Sequence, residues 1–236
     1  MDTNEISNKY FLPVAVIVAG LFIAGAVVWN GSHPLAGSEQ FAAAGAAAAP
    51  AVDIKNVKTD GNPYIGQAAA PITIAFWSDF QCPFCKNFAL GTLPQIIKDY
   101  VDTGKAKIVF MEFPFLGNDS ITGAAYSRSI WKLYPGKYLE WSTAMYTAQD
   151  QEGDQGFGNA ASIDKLDATI SGIDATKVAA DVKANMSAYQ AAMNADKAEA
   201  AKVGINATPS FVIGTQVIAG AYPYATFQTE IDALLK

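Results

Sequence analysis

The stretch ITIAFWSDFQCPFCK, residues 72–86, places two cysteines directly after a short run of apolar and β-branched residues. Such a run is typical of a buried strand in a parallel sheet. Beyond Cys85, apolar side chains recur at helical spacing as far as Val101, and the run from Lys107 to Phe113 predicts a second strand. A strand, a helix and a strand in this order form a βαβ unit, whose functional groups lie at the carboxyl end of the first strand. The sequence therefore predicts an α/β fold with both cysteines at that edge of the sheet.

The long region after the second strand is predicted to be helical. Residues 119–203 are rich in alanine and have helical spacing, with interruptions that predict four or five helices. Those interruptions contain glycine or proline and lie at Pro135-Gly136, residues 152–159 and residues 172–174. Residues 210–219 contain two short β-branched runs around Gly214-Thr215, which is typical of a tight hairpin. Residues 224–235 predict a closing amphipathic helix.

The N-terminal part of the chain has a different pattern. The 19 residues from Phe11 to Trp29 carry no charge, and as a helix they would span about 28 Å, enough to cross the core of a bilayer. An uncleaved transmembrane anchor is favoured because this apolar run is longer than the core of a signal peptide; a cleaved signal and a buried soluble helix are the alternatives. Residues 1–10 would then be a cytoplasmic stub, since Lys9 is their only base. Residues 30–56, small and without apolar periodicity, predict a tether to the folded domain.

Composition limits the classes of protein to which the chain can belong. It has 236 residues, of which 51% are hydrophobic and 16% charged, and its formal net charge is −6. This apolar content excludes a mostly disordered chain. Proteins that bind nucleic acid normally carry a basic surface, so the acidic balance argues against nucleic acid as a partner.

Cys82 and Cys85 are the only cysteines, and their spacing is typical of a redox dithiol. A structural disulfide is a poor explanation, because closing so short a loop constrains the unfolded chain little. A zinc site needs four ligands, but the sequence has no second such pair, and the single histidine, His33, lies in the predicted tether. A copper carrier and an incidental pair of buried thiols remain as alternatives. We expect neither a metal ion nor a cofactor.

The chemistry of thiol exchange assigns different roles to the two cysteines. The thiolate is the attacking species, and the unpaired N–H groups at a helix N-terminus lower the pKa of a thiol placed there. Cys82 is predicted at that position, exposed on the turn, as the nucleophile. Cys85, one helical turn further on, is predicted to be more buried and to resolve the mixed disulfide. Pro83 is tolerated in the first turn of a helix, and Phe84 adds only apolar surface.

Three stretches of the chain resemble the DsbA-like branch of the thioredoxin superfamily. They are SDFQCPFCK at residues 78–86, YVDTGKAKIVFMEFPF at residues 100–115 and VGINATPSF at residues 203–211. The resemblance covers about residues 62–236, and it implies a thioredoxin-like fold with an inserted all-helical subdomain over about residues 119–203. Members of this branch are extracytoplasmic thiol–disulfide oxidoreductases that need no cofactor.

The resemblance also implies further site residues. Pro209 corresponds to the family's cis-proline, which faces the dithiol, and Thr208 before it presents its backbone to an incoming peptide. Together with Pro83 and Phe84, these residues form the predicted substrate-binding loop. The alternative is an ordinary trans proline at the start of a strand.

The sequence departs from the family pattern at two positions. Many members have a buried acid six residues before the first cysteine, where this chain has Phe76. Glu112 is a candidate replacement as proton relay, although a solvated strand carboxylate is the favoured interpretation. Strong oxidases of this type often have histidine between the cysteines; Phe84 stands there instead, which predicts a milder oxidant. Asp79 lies near the dithiol and is expected to cap local backbone or to face water.

The resemblance and the N-terminal pattern together predict a membrane-anchored thiol–disulfide oxidoreductase. Its catalytic domain, residues 57–236, would lie outside the cytoplasm, in the periplasm or at the cell exterior. We expect it to introduce disulfides into exported proteins that contain cysteines, because disulfides persist there. The resemblance implies a quinone-linked membrane oxidase, similar to DsbB or VKOR, as its reoxidising partner. A disulfide reductase or isomerase and a non-catalytic module for metal delivery or binding remain as alternatives.

Overall fold

A five-stranded mixed sheet forms the centre of the computed structural model, which describes residues 52–150 and 156–236. In chain order its strands are β1 Tyr64–Ile65, β2 Ile72–Ser78, β3 Ala106–Glu112, β4 Ser210–Ile213 and β5 Gln216–Ala219. Their order across the sheet is β1-β3-β2-β4-β5; β2 and β3 are parallel, and the other neighbours are antiparallel. The predicted α/β fold is confirmed. The short strand β1 was not predicted, because two residues carry no periodic pattern.

Helices pack around this sheet, and most of them lie between β3 and β4 in the chain. In the described residues the α-helices are α1 Pro83–Asn87, α2 Leu93–Ile96, α3 Asn118–Leu133, α4 Tyr138–Ala148, α5 Ala160–Asp167, α6 Ala175–Lys202 and α7 Tyr224–Leu234. Two short 3₁₀ helices occur at Ile54–Asn56 and Pro135–Lys137. Helices α3 to α6 form the predicted helical insertion, which is therefore confirmed.

The helical run that begins at Pro83 continues to Val101 as predicted, but part of it is wider than an α-helix. Two π-helical stretches, Phe88–Thr92 and Ile97–Val101, flank α2. Pro94 lies within this run. In a regular α-helix a proline ring clashes with the carbonyl four residues earlier, and a π turn before the proline relieves that clash.

Side chains on the two faces of the sheet pack into separate clusters. On β2, Ile74 and Phe76 point to the face that packs against the helix after the cysteines and against the insertion. Ala75 and Trp77 point to the opposite face. Because both faces are covered, the sequence of β2 is an almost continuous apolar run. Both cysteines belong to the first cluster, at the carboxyl end of this strand.

Residues 52–56 are part of the folded domain, which corrects the predicted tether of residues 30–56. The backbone N–H of Ile54 donates to the carbonyl of Gly214 at 2.8 Å. The side chains of Val52 and Ile54 pack against the second cluster. The sequence around Ile54 did not predict this contact, because Gly214 is about 160 positions further along the chain.

The predicted stub (residues 1–10), the predicted anchor (11–29) and the remainder of the tether (30–51) lie outside the described residues. Within residues 52–150 and 156–236, no helix combines the length and the apolar character needed to cross a membrane.

Candidate active site

The loop after β2 is shaped by Asp79, whose side chain is buried. Its carboxylate accepts hydrogen bonds from the backbone N–H groups of Gln81 and Phe115, each at 2.9 Å. Its backbone carbonyl accepts the N–H of Cys82 at 3.1 Å. Burial raises the pKa of Asp79, while the N–H donors oppose that rise. Asp79 therefore caps local backbone, one of the two roles expected for it, and does not face water.

Cys82 occupies the N-cap position of α1, and Pro83 the first helical position, as predicted. Both cysteines are free thiols. The Cys82 thiol donates to the backbone carbonyl of Thr208, with 3.4 Å between sulfur and oxygen. Cys82 is only 4% exposed, so the prediction of an exposed thiol on the turn is wrong. Thr208, which packs against it, lies 126 positions further along the chain, where a local sequence pattern cannot reveal the contact.

The environment of Cys82 lowers the pKa of its thiol to about 6. A hydrogen bond from the Cys85 thiol is the largest cause. The Thr208 hydroxyl and the backbone N–H groups of Cys85 and Phe84 act in the same direction, whereas burial opposes them. A thiol with this pKa is mostly ionised at neutral pH.

Cys85 has the opposite behaviour. Its side chain is completely buried, and burial raises the pKa of its thiol well above the ordinary value. The neighbouring Cys82 raises it further, because two adjacent thiols do not both ionise readily. The Cys82 sulfur therefore carries the charge, and the Cys85 sulfur keeps its proton. This difference is the one expected between a nucleophilic and a resolving cysteine.

The peptide bond between Thr208 and Pro209 is cis, as the resemblance implied. Both residues line an open groove beside the dithiol, of about 400 Å³, together with Phe84 and the segment from Ala219 to Pro223. Phe84 is 61% exposed and Tyr222 48% exposed. Phe84, Thr208 and Pro209 of the predicted substrate-binding loop are therefore neighbours in space, and Tyr222 lies in the same groove, which the sequence did not indicate.

Glu112 lies inside the protein at the end of β3, where it pairs with Arg128. Arg128 also pairs with Asp196 at 2.5 Å and donates to the side chain of Asn62 at 2.8 Å. Glu112 is 3% exposed, so the interpretation as a solvated carboxylate is wrong. Burial raises its pKa to about 7, although Arg128 opposes that rise. Within the described residues Glu112 forms no hydrogen bond or ion pair with either cysteine, and its role as a proton relay stays a prediction.

The helical insertion also contributes residues to this site, which the sequence did not predict. Gln149, directly after α4, donates hydrogen bonds to the backbone on the dithiol loop, and Arg128 comes from α3. No local motif marks either residue, because each acquires its partner only through the packing of distant segments. In the part of the chain that the structure describes, no group of three histidine, cysteine, aspartate or glutamate side chains is placed to hold a metal ion.

Fold and paired cysteines together define a class, the proteins with a thioredoxin-like fold and a helical insertion between two strands of the sheet. A family model described as thioredoxin matches residues 58–233, and the chain belongs to the thioredoxin family.

Comparison with known proteins gives relatives of the same class. Disulfide bond formation protein D of Bacillus subtilis (strain 168) is 26% identical over 176 residues, which are 75% of this chain and 78% of that protein. Matches to the curated relatives cover 64%, 78% and 42% of their lengths. The oxidised crystal structure of BdbD from Bacillus subtilis superposes with a TM-score of 0.69 at 24% identity, covering 76% of this chain and 95% of that one. Chlamydia trachomatis DsbA gives a TM-score of 0.65 at 21% identity, with coverages of 74% and 91%. These structural likenesses support the fold.

Proposed function

We propose that this chain is a protein disulfide oxidoreductase that passes a disulfide between Cys82 and Cys85 to exported proteins. The observation that carries the proposal is the placement of the two thiols: Cys82 lies at the N-cap of α1, which helps to lower its pKa to about 6, and Cys85 is completely buried, which raises its pKa. In thiol–disulfide exchange, a thiol of low pKa is a good leaving group and is available as the attacking thiolate. Cys82 therefore meets the substrate, and Cys85 closes the ring.

Substrate oxidation proceeds in two exchanges. A substrate thiolate attacks the sulfur of oxidised Cys82, forms a mixed disulfide and expels the sulfur of Cys85, which takes up a proton. A second thiolate of the substrate then attacks the substrate sulfur of the mixed disulfide and expels Cys82 as a thiolate. Two electrons pass from the substrate dithiol to the enzyme, and the substrate is left with the new disulfide.

Stabilisation of the Cys82 thiolate supports the oxidising direction. Groups that stabilise the thiolate favour the reduced enzyme over its disulfide, and this makes the disulfide a stronger oxidant. Cys85 and Thr208 supply such hydrogen bonds here. Phe84 has neither charge nor a side-chain donor, so we propose a milder oxidant than enzymes with histidine at that position.

The groove beside the dithiol is the proposed binding surface for the substrate peptide. Phe84 and Tyr222 present exposed aromatic side chains in the groove that Thr208 and Pro209 also line. An unfolded exported protein offers apolar side chains next to its cysteines, and such a groove binds them with little demand on their sequence.

The N-terminal run from Phe11 to Trp29 supports a single-pass membrane anchor with the catalytic domain outside the cytoplasm. On this proposal the substrates are exported proteins with cysteines. The reduced enzyme is returned to the disulfide form by a quinone-linked membrane oxidase of DsbB or VKOR type. Such an anchor holds the enzyme at the surface where that partner lies.

The direct test mixes the oxidised full-length chain with a reduced peptide that contains two cysteines. We expect the peptide disulfide to form as the enzyme dithiol appears, and we expect Cys82→Ser to abolish the reaction. Cys85→Ala, expressed in the native envelope, is expected to accumulate mixed disulfides between Cys82 and exported proteins. Absence of both peptide oxidation and trapped partners would overturn the proposal, and stoichiometric copper or zinc binding without exchange would instead indicate a metal-delivery module.

The reduction potential separates an oxidase from a reductase or isomerase. Equilibration with glutathione is expected to give a potential above that of thioredoxin, which is about −270 mV. A lower potential together with a stable dimer would favour a reductase or isomerase over the proposed oxidase.

The role of the groove can be tested with Tyr222→Ser. We expect its kcat/KM for peptide oxidation to fall about fivefold, which corresponds to about 1 kcal/mol of lost apolar contact. Leu235→Ser is the matched control, because Leu235 is 40% exposed and does not line the groove. Equal kinetics for the two variants would remove Tyr222 from the binding surface.

A further inference from the structure

The loop that carries Cys82 is held from the helical insertion by Gln149. The side-chain amide nitrogen of Gln149 donates to the backbone carbonyl of Phe80 at 2.6 Å and to that of Cys82 at 3.1 Å. Gln149 is 6% exposed, so both hydrogen bonds are shielded from water. A reciprocal contact comes from α1, where the Lys86 ammonium donates to the backbone carbonyl of Gln149 at 2.8 Å.

The peptide group between Cys82 and Pro83 depends more on hydrogen bonds to its carbonyl than most peptide groups do. It has no N–H, because the next residue is Pro83. Its carbonyl is the only group through which hydrogen bonds can hold it, and this carbonyl accepts from Gln149 and from the N–H of Lys86, each at 3.1 Å. The orientation of this peptide group fixes the backbone angle ψ of Cys82, and therefore where its side chain lies.

A second hydrogen bond from the same loop reaches the insertion at a different point. The side-chain amide of Gln81 donates to the backbone carbonyl of Phe157 at 3.0 Å. Gln149 and Phe157 both belong to the connection between α4 and α5. The connection therefore contacts all three residues from Phe80 to Cys82: Gln149 binds the carbonyls of the first and the last, and Phe157 binds the side chain of Gln81 between them.

We propose that Gln149 is a positioning residue for thiol–disulfide exchange, holding the peptide groups of Phe80 and Cys82 so that the Cys82 sulfur stays beside its hydrogen-bond donors. The proposal rests on the proposed function and deepens it. It gives the helical insertion a direct part in the chemistry of the dithiol, besides covering one face of the sheet.

The reactive state of Cys82 depends on accurate placement. Its thiolate is stabilised by the Cys85 thiol, by the Thr208 hydroxyl and by backbone N–H groups at the start of α1. Hydrogen bonds weaken steeply as their angle departs from linear. When the peptide group after Cys82 rotates, the sulfur moves relative to all of these donors together, and its acidity falls.

The test compares the full-length reduced chain with its Gln149→Met variant, which keeps the size of the side chain and removes both donors. We expect the rate of alkylation of Cys82 by iodoacetamide at pH 5 to fall about tenfold, because one pKa unit changes the thiolate fraction tenfold below the pKa. Gln149→Leu has a similar size and no hydrogen-bond donor at any pH. It is expected to slow alkylation at least as much, and it keeps the test available if the methionine variant does not fold.

The matched control is Gln95→Met. Gln95 also donates its side-chain amide to a backbone carbonyl, that of Gly91 at 3.1 Å, but it is exposed and belongs to α2. We expect alkylation in this variant to match the wild type. Urea unfolding of every variant separates loss of stability, which any lost hydrogen bond can cause, from the change in thiol acidity.

Variants of Gln149 that are less stable but are alkylated at the wild-type rate would overturn the proposal and leave Gln149 a purely structural residue. That outcome would leave the proposed function intact as long as the wild type oxidises peptides and Cys82 titrates near pH 6. A wild type whose Cys82 titrates like a free thiol would instead contradict the proposed function itself.

Discussion

Cys82 and Cys85 lie one helical turn apart. Burial by itself acts to raise the pKa of each thiol, but the net shift differs between them. At Cys82 the hydrogen bonds from Cys85, from Thr208 and from the helix N-terminus outweigh burial, so its pKa is lowered. At Cys85 burial is the largest cause and the pKa is raised. The balance at each residue thus depends on a few donors whose removal has a measurable effect.

Thr208→Val tests one of these donors. The Thr208 hydroxyl oxygen is buried and has no hydrogen-bond partner in the described residues, so the hydroxyl is free to donate to the Cys82 thiolate, and exchanging it for a methyl group breaks no other bond. We expect the pKa of Cys82 to rise by about one unit, since a hydrogen bond to a charged group contributes about 1.5 kcal/mol or more. Thiolate absorbance at 240 nm as a function of pH measures this shift.

Thr229→Val is the control for that substitution, because the Thr229 hydroxyl donates to the carbonyl of Ala225 at 2.9 Å on the exposed side of α7. Its titration curve is expected to coincide with that of the wild type. If Thr208→Val also leaves the curve unchanged, the Thr208 hydroxyl does not stabilise the Cys82 thiolate.

Among the elements, α3 is joined to the sheet by a buried group of charges. Arg128 of α3 pairs with Glu112 at the end of β3 and with Asp196 of α6. Asp196 also accepts the backbone N–H of Glu112 at 2.9 Å. The arginine therefore links the helical insertion to the strand that pairs with β2, at the same sheet edge as the dithiol.

Arg128→Met removes the only positive charge among these three residues and leaves two buried carboxyl groups without a cation. We expect a loss of about 3–5 kcal/mol in the free energy of unfolding, measured with urea, because breaking a buried ion pair leaves an uncompensated charge. Lys132→Met is the matched control on the same helix: Lys132 pairs with Asp181 but its side chain is 51% exposed. Its loss is expected to be below about 1 kcal/mol; similar losses for both variants would show that the Arg128 pairs contribute no more than surface pairs.

For the whole molecule, the same cluster makes stability depend on pH. The pKa of Glu112 is raised from 4.5 to about 7 on folding, because burial disfavours its charged form. The folded protein therefore holds this proton more tightly than the unfolded chain. The contribution of Glu112 to stability is complete below about pH 4.5 and is lost as the pH rises through about 7.

Glu112→Gln isolates that contribution, since other buried carboxyl groups add their own pH dependence. We expect the unfolding free energy of the wild type to fall more steeply between pH 5 and 7 than that of the variant. Glu140→Gln, which changes an exposed carboxylate on α4, is expected to keep the wild-type slope. Parallel curves for wild type and Glu112→Gln would mean that Glu112 is ionised throughout this range.

Features of this structure that depend on neighbouring residues in the sequence were predictable, and features that depend on contacts between distant segments were not. Strands β2 to β5 and the helical start at Pro83 were predictable, because runs of apolar and β-branched residues, glycine and proline act locally. The burial of Cys82 and Glu112 was not, because Thr208 and Arg128 reach them only after the chain has folded. The role of Gln149 was not predictable for the same reason. Its partners are the backbone carbonyls of distant residues, and every residue type has such a carbonyl.

In the reduced, full-length chain Cys82 is held as a thiolate near neutral pH, and its titration measures this property. Absorbance at 240 nm, corrected with the Cys82→Ser variant, is predicted to show one thiol titrating at about pH 6, with Cys85 still protonated well above pH 9. A titration of Cys82 near pH 9, the value of an ordinary thiol, would show that the protein does not stabilise the Cys82 thiolate.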